Sequence, residues 1–499
     1  MAKYILNSYI YLRSYADHPR CVYDRRSGVY YDVSRAKFKT LFCCDGKSDI
    51  EADSICEELV SEGLIRPSSE GERLSEPQKY RFCANIRLSM LNLEITERCN
   101  YNCRHCFNAE GIKVPRAELT IDEIKRILDQ AFDCGVNNVV LTGGEPMLHP
   151  HFMDIIRYVS EKGMNLIEIN TNGSLITREM LEEFQSLGVN PLMKISFDGV
   201  GFHNWMRGMD ETSLRFSAEQ NALSVMRLLV SLGFRVFVQM NLNKKNLGCI
   251  PKSIDLLDDI GVYRSRIIRT SEAPRWIENG ADATLSWSEY FDACLDIAEY
   301  YLSRERKMSL IMWQFLFIHS KKKLFFAEKI TAPDDRSFDD RWLCGERLDI
   351  CANGELYPCM QMSGWLKSRG ISLGNIKKTS LEELLNDSPY LKFITCTKED
   401  KRCNSTACRE CPFFAYCGGG CPALSVLTQG SYYGRDGSSC IFFRDGYYEK
   451  IKALMPDFRD MRPMNDGPDK EYLKRNEIKK AKQVRVNSTD HMELLRPIE

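Results

Sequence analysis

Between residues 90 and 270, short apolar, β-rich runs alternate with stretches whose apolar positions recur at helical spacing. The runs predict strands at Leu91 to Thr96, Asn138 to Leu141, Leu166 to Asn170, Met193 to Phe197, Phe234 to Met240 and Ser265 to Arg269. Helices fall between them, one opened by Thr120, whose spacing to Glu123 makes a capping box. Six β/α units in series predict an α/β fold on a parallel sheet, either an open barrel or a doubly wound sheet. Ahead of them, Tyr4 to Leu12 and Cys21 to Val33 read as strands, with Ser27-Gly28 supplying a turn. Ser34 can cap a helix running through Phe42, and a second helix is predicted from Ile50 to Leu64, with Ile55, Leu59 and Val60 on one face and Gly63 at its end.

The polar run Pro67 to Glu72, followed by Ser75-Glu76-Pro77, reads as a linker. Residues 285 to 330 read as bridging helices, with Lys321-Lys322-Lys323 as a solvated face. Past Cys440 the chain turns charged, and residues 470 to 485 read as a solvated helix or frayed tail rather than a basic partner-binding face. The expected units are 1–85, 86–284, a bridge over 285–335, a cysteine-rich unit over 336–455 and a tail over 456–499.

The 499 residues allow about three domains at roughly 150 residues each. Lys and Arg number 68 against 69 Asp and Glu, a net charge of -1, which argues against a nucleic-acid-coating protein. No apolar run reaches the roughly 20 residues that span a bilayer; the best, Leu310 to Ile318, carries Gln314 inside it. The N-terminus lacks an apolar signal core, so the expected compartment is the reducing cytoplasm, where disulfides are disfavoured. Against that background the 21 cysteines stand out. Cys99, Cys103 and Cys106 form one knot, and a second group runs from Cys344 to Cys440. In a reducing compartment such knots read as metal sites.

Cys99-x3-Cys103-x2-Cys106 follows the first predicted barrel strand at its C-terminal end, where α/β folds place chemistry. Three thiolates suit three irons of a 4Fe-4S cluster, which ordinarily takes four cysteines, and leave one iron open. The alternative is a tetrahedral zinc site with His105 as the fourth ligand. The loop resembles the signature of the radical SAM (S-adenosylmethionine) enzymes, with His105 in their aromatic position before the last cysteine. Gly143-Gly144-Glu145-Pro146 follows the second strand, where that family contacts the methionine amino group, and a Gly-Gly lets a backbone approach a ligand closely. Thr171-Asn172-Gly173 follows the third strand, making Asn172 a further cofactor candidate. Ser196 and Asp198 end the fourth on one strand face, where the family binds ribose and carboxylate, and Arg207 resembles a further carboxylate partner. The resemblance implies that the open iron chelates SAM and that one electron yields a 5′-deoxyadenosyl radical, which abstracts hydrogen from an unactivated carbon. It names no catalytic side chain beyond these.

Cys344, Cys359, Cys408, Cys411, Cys417, Cys421 and Cys440 match the ladder of the SPASM domain, which carries auxiliary clusters. The likeness implies an outer cluster on Cys408, Cys411, Cys417 and Cys440, and an inner one on Cys344, Cys359 and Cys421, three 4Fe-4S clusters with the SAM loop. A pair of zinc sites is the alternative. Asn353-Gly354 signals a two-residue hairpin pairing Ala352 with Glu355, Ile350 with Tyr357 and Leu348 with Cys359. In that register Cys351 points away from Cys359, which leaves the inner cluster one open iron for a substrate thiolate.

Val22-Tyr23-Asp24, Gly28 to Tyr31, Cys44-Asp45-Gly46 and Glu57 to Ile65 resemble a PqqD-like recognition element, a winged helix that binds leader peptides by strand addition. A scaffold winged helix without a ligand is the alternative. Together the resemblances imply a partial (β/α)6 TIM-like barrel between a winged-helix module and a cysteine-rich iron-sulfur domain. They imply a cytosolic maturase of a ribosomally made precursor peptide, bound through its leader, with a flavodoxin or ferredoxin as electron donor and no nucleic acid or membrane partner. A thioether from a cysteine sulfur is the expected product, ahead of a carbon-carbon crosslink or a side-chain oxidation. Sulfatase maturases carry an acid where Met360 stands. A relay that uses clusters only for electron transfer would not need the Gly143 to Pro146 and Ser196 to Asp198 motifs.

Overall fold

A computed structural model of the protein describes residues 2–106, 117–208, 217–312, 316–321, 324–326 and 346–455. The N-terminal part builds two small sheets. Strand β1 (Ala2–Leu6) and β2 (Ile10–Ser14) share the first apolar run, β3 (Cys21–Asp24) and β4 (Val29–Asp32) form the hairpin expected at Ser27-Gly28, and β5 (Asp45–Ile50), β6 (Ile65–Pro67) and β7 (Arg81–Phe82) follow. The orders are β5-β1-β6 and β4-β3-β2-β7. A helix over Arg35–Cys43 is capped by Ser34 as the sequence predicts.

The second helix is shorter than its apolar pattern suggests. Ile50 ends β5, paired with Ala2, and Asp53 accepts the N–H of Cys56 to start the helix at Ser54. A carboxylate that satisfies an orphan N–H fixes the helix start more firmly than periodicity does. Cys56 and Leu59 are its buried face, while Val60 is exposed. The expected linker is structured too: Gln78 is buried and donates to the carbonyls of Leu6 and Asn7, closing a capping box with Ser75.

The rest is organised by one sheet. Strands β8 (Met90–Glu94), β9 (Asn138–Thr142), β10 (Asn165–Thr171), β11 (Leu192–Ser196), β12 (Val236–Leu242) and β13 (Arg264–Arg269) occur where the sequence places them, parallel and in chain order. The sheet then runs further than six strands. Among the described residues the expected bridge holds one α-helix, Trp287–Leu302, after which β14 (Ser309–Met312) pairs parallel to β13, and β15 (Leu316–His319) and β16 (Leu324–Phe326) add antiparallel. Ser309–Met312 and Leu316–His319 are apolar as strands at a sheet edge, not as a helix face. At the other edge β17 (Arg347–Ile350) pairs parallel to β8, and β18 (Leu356–Tyr357) closes a hairpin on it.

Strand alternation sorts the side chains. Leu91, Leu93, Val139, Leu141, Met193, Ile195, Val236 and Val238 bury against the helices in the main core, while Asn92, Glu94, Lys194, Ser196, Gln239 and Asn241 share the opposite face. Lys194 pairs there with Glu168 at 3.3 Å.

The N-terminal module is bolted beneath this sheet by tyrosines. Hydroxyls of Tyr15 and Tyr30 donate to the Gly135 carbonyl at 2.7 and 3.1 Å, Tyr11 to that of Gly163 at 2.9 Å, and Tyr23 to Asn138 Oδ1 at 2.8 Å. These contacts sit at the N-terminal ends of β9 and β10, the end remote from the cysteine loop. A buried hydroxyl with a partner lets each ring bury its apolar area without a desolvation cost. Gly135 is left-handed, and a Cβ there would lie 2.6 Å from the Tyr15 ring. Gly135→Ala is therefore expected to cost about 3 kcal/mol from backbone strain plus overpacking, against about 1 kcal/mol at Gly188, which is also left-handed but open. Urea unfolding of the two variants measures the difference, and equal costs would show that the tyrosine face is not packed.

Candidate functional site

Strand β8 delivers the chain to Cys99, Cys103 and Cys106, all half-buried. Burial pushes the Cys99 thiol up to about 11, and Cys103, Glu145 and Cys106 face it. The loop is gripped by the segment after β9: Gly144 N donates to Thr96 O and Glu145 N to Arg98 O, both at 2.8 Å. A Cβ on Gly144 would stand 2.3 Å from Arg98 O, and one on Gly143 2.6 Å from Thr96 O. The glycine pair thus lies close to the backbone of Thr96 to Arg98, which leads into the cysteine loop. On the far side Arg104 N donates to Met206 O, its guanidinium lies over Trp205, and Arg275 donates to Asn102.

Two buried carboxylates organise the surroundings. Glu145 accepts from Asn172 N and Thr171 Oγ1, each at 2.8 Å, and from Met147 N at 3.2 Å. Burial pushes it up to about 7 against those bonds. Pro146 is buried and opens the short turn that follows, and Asn172 reaches Asn100 Oδ1 at 2.9 Å, joining β10 to the cysteine loop.

Asp198 is fully buried just beyond β11. Burial alone would raise its carboxyl, but Arg207, with His203 as a hydrogen-bond partner, holds it well below the usual carboxylate range. Asn241 N donates to it at 3.0 Å, and Asn246 donates to its carbonyl at 2.9 Å. Arg207 continues to Cys103 Sγ at 3.6 Å, a cation placed to favour a thiolate. Asp198 therefore orients Arg207 toward the loop, which the strand-face argument did not foresee, while Ser196 stands half-buried at the strand end. Burial, then Arg207, drives His105 down to about 3, and its Nε2 accepts from Asn241 at 3.1 Å. The proposed fourth zinc ligand is thus neutral and turned to Asn241. The sequence reading missed His203, Asn241 and Asn246; the signal was three asparagines within six residues, Asn241, Asn243 and Asn246, at the end of a strand.

In the C-terminal part Cys408, Cys411, Cys417 and Cys440 line one cavity together with Gly419, Asp436 and Arg444. Three short helices present Cys408, Cys417 and Cys440, namely Thr406–Arg409, Phe414–Cys417 and Gly437–Arg444, the last capped by Asp436, and Cys411 lies between the first two. Cys421 caps the helix Pro422–Gln429, which packs on the turn Met360–Met362 that Cys359 caps, so these two cysteines flank one junction. Cys344 lies outside the described residues. Among the described residues no three His, Cys, Asp or Glu side chains are close enough to hold one metal ion. Thiols that surround a cavity fit a polynuclear cluster, whose ligands sit on separate irons.

The hairpin register corrects the sequence reading. Asp349 pairs with Tyr357 and Ile350 with Leu356, one residue off the expected pairs. Gly354 N and Glu355 O still bond across the turn to Cys351, while a third segment adds Leu356 N to Gly374 O and Ile376 N to Gly354 O. A one-residue slip reverses the faces. Cys351 now shares the face of Asp349 and Tyr357, and its Sγ lies 3.4 Å from the sulfur of Met360, next to Cys359. The case for a vacant inner iron loses its premise.

Comparison with known proteins agrees with this layout. The radical SAM superfamily pattern matches residues 93–257, and an iron-sulfur cluster-binding domain, SPASM, matches residues 343–412. An AdoMet-dependent heme synthase of Methanosarcina barkeri is 34% identical over 347 residues, 68% of this chain and 92% of that protein. The chain belongs to the radical SAM superfamily. As such it is an enzyme that binds SAM, and its SPASM domain binds auxiliary iron-sulfur clusters. The subtilosin biosynthesis protein AlbA of Bacillus subtilis is 26% identical over 364 residues, 72% of each chain. The crystal structure of Streptococcus suis SuiB bound to its precursor peptide SuiA superposes with a TM-score of 0.64 at 15% identity, covering 87% of this chain and 99% of that one.

The grip of Gly144 on the loop has a direct consequence for this radical SAM site. Gly144→Ala is expected to lose about four irons on anaerobic reconstitution, one cluster's worth, while its far-ultraviolet circular dichroism stays that of the wild type. Iron analysis checks this; full iron with impaired SAM binding would return the glycines to a ligand-contact role.

Proposed function

We propose that the protein is a peptide maturase that forms a thioether from a cysteine sulfur of a ribosomally made precursor, with carbon-carbon crosslinking or side-chain oxidation as the alternative product. The observation that carries the reading is the β17–β18 hairpin paired onto β8. It puts the cysteine-rich unit on the strand that ends in the radical loop. The division into a leader-binding module over 1–85, a barrel over 86–284, a bridge over 285–335, a cluster domain over 336–455 and a tail is part of the same proposal.

In it, Cys99, Cys103 and Cys106 hold the SAM-binding cluster. Cys408, Cys411, Cys417 and Cys440 hold the outer auxiliary cluster, and Cys344, Cys359 and Cys421 the inner one. SAM bound at the loop supplies, after one-electron reduction by a flavodoxin or ferredoxin, a radical able to take hydrogen from carbon. This chain's residues position it: Glu145 fixes the turn of Gly143 to Pro146 against Asn172, Arg207 sets the charge beside Cys103, and Ser196 faces the same side of the sheet. The names of AlbA and SuiB support a peptide substrate, and a cytoplasmic setting suits the free thiols. Among the described residues no helix is long and apolar enough to cross a membrane.

Anaerobic reconstitution is expected to give about twelve irons, three clusters of four. Replacing Cys99, Cys103 and Cys106 by Ala removes about four of them and all 5′-deoxyadenosine formation; persistent cleavage would refute the loop assignment.

The N-terminal module supports leader binding through β4, an edge strand whose outer side pairs with no described strand. A photo-crosslinking residue at Val29 is expected to capture the leader half of a Cys-containing precursor, while one at Tyr263, exposed on the barrel, captures none. The reverse pattern would make the module a scaffold. The heme synthase likeness favours a second reading in which the substrate is an iron porphyrin. Mass analysis separates them: a changed porphyrin with an unchanged peptide would replace the first reading.

A further inference from the structure

Lys401 is the one buried lysine in the cysteine-rich part among the described residues, with no exposed surface. Its stem lies under Gly419, where a Cβ would come within 2.5 Å of its Cγ, and Gly419 lines the four-cysteine cavity. Its ammonium donates to the Gly434 carbonyl. Burial pulls it below the ordinary lysine range, while Cys408, Asp436, Cys417 and Cys440, all lining the cavity, face it and push it back up. The acid in that group is fully employed: Asp436 accepts from Ser438, Ser439 and the N–H of Cys421. The other cation at the cavity differs in kind. Arg444 donates to Cys411 from an exposed position, where water screens it.

We propose that Lys401 is a positioning residue for redox: its buried charge sets the reduction potential of the outer auxiliary cluster. The inference rests on the assignment of Cys408, Cys411, Cys417 and Cys440 to that cluster. An added electron makes the cluster and its thiolates more negative, and a cation at short range in a low-dielectric site stabilises that form more than the oxidised one. Exposed Arg444 exerts the same pull through water and therefore far less of it. Lys401 thus makes the outer cluster easier to reduce.

The test uses the full chain carrying Cys99→Ala, Cys103→Ala, Cys106→Ala and Cys359→Ala, which leaves the outer cluster alone. About four irons in this background verify the cluster assignment separately from the proposal, and fewer would remove its basis. Dye-mediated titration with dithionite, followed by electron paramagnetic resonance, then reads the one-electron couple. Lys401→Met is expected to lower the reduced-to-oxidised ratio tenfold at the parent's midpoint, a 59 mV shift for one electron. Lys401→Arg should stay within threefold of the parent, and so should Arg444→Met. A Lys401→Met midpoint equal to the parent's, or a shift no larger than that of Arg444→Met, overturns the proposal. If the methionine variant loses iron, Lys401→Gln, which can still donate to Gly434, is titrated against the same limits.

Discussion

Everything in this molecule depends on β8 being an interior strand. Its neighbours are β9 and β17, and both pair with it in parallel, Leu91 beside Val139 and Leu348, Leu93 beside Leu141 and Ile350. The alternation forced by the pleat sends those leucines and isoleucines into the core and leaves Asn92, Glu94 and Asp349 on the other face. A strand held on both sides cannot shift register without turning its core face outward. The loop that continues from it therefore starts from a fixed point, and three thiolates can be presented without a long supporting loop of their own.

The grip on that loop is built from groups that cannot be left unsatisfied. Asp198, Arg207, His203, Asn241 and Asn246 form a buried polar knot in which both oxygens of the acid are engaged. Removing one member of such a knot strands the others in a low-dielectric setting, a cost of several kcal/mol. This makes the arrangement stiff, and stiffness is what a site needs when it must hold a reactive group against a chosen carbon. Glu145 does the same on the other side with three donors. The two knots come from the ends of different strands, so the site is assembled only when the sheet is complete.

Most of the barrel could be read from the chain, because short β-rich runs alternate with stretches of helical apolar spacing. The cysteine ladder was equally legible, since spacing survives folding. What failed was whatever a third segment decides. The hairpin register was read from the Asn353-Gly354 turn alone, but Gly374 and Ile376 also bond Leu356 and Gly354, and the pairing lies one residue off the expected one. Residues 285 to 330 were read as bridging helices, whereas Ser309–Met312 adds to the edge of β13 and Leu316–His319 to it in turn. The glycine pair at 143 and 144 also packs on the backbone of Thr96 to Arg98, a contact that the motif alone does not announce.

The same dielectric argument joins the two ends of the protein. At the barrel, Arg207 lies 3.6 Å from Cys103 and is itself balanced by Asp198. In the cysteine-rich part, buried Lys401 faces three cavity thiols and Asp436. Each centre thus pairs sulfur with a buried cation and a buried acid, and in each the acid is bound to neighbouring backbone: Asp198 to Asn241, Asp436 to Cys421. Burial is what makes these charges effective, because an exposed cation is screened by water and salt far more than a buried one. The bond from Cys421 N to Asp436 has a further effect. It ties the wall of the outer cavity to the cap of the helix that packs on the Cys359 turn.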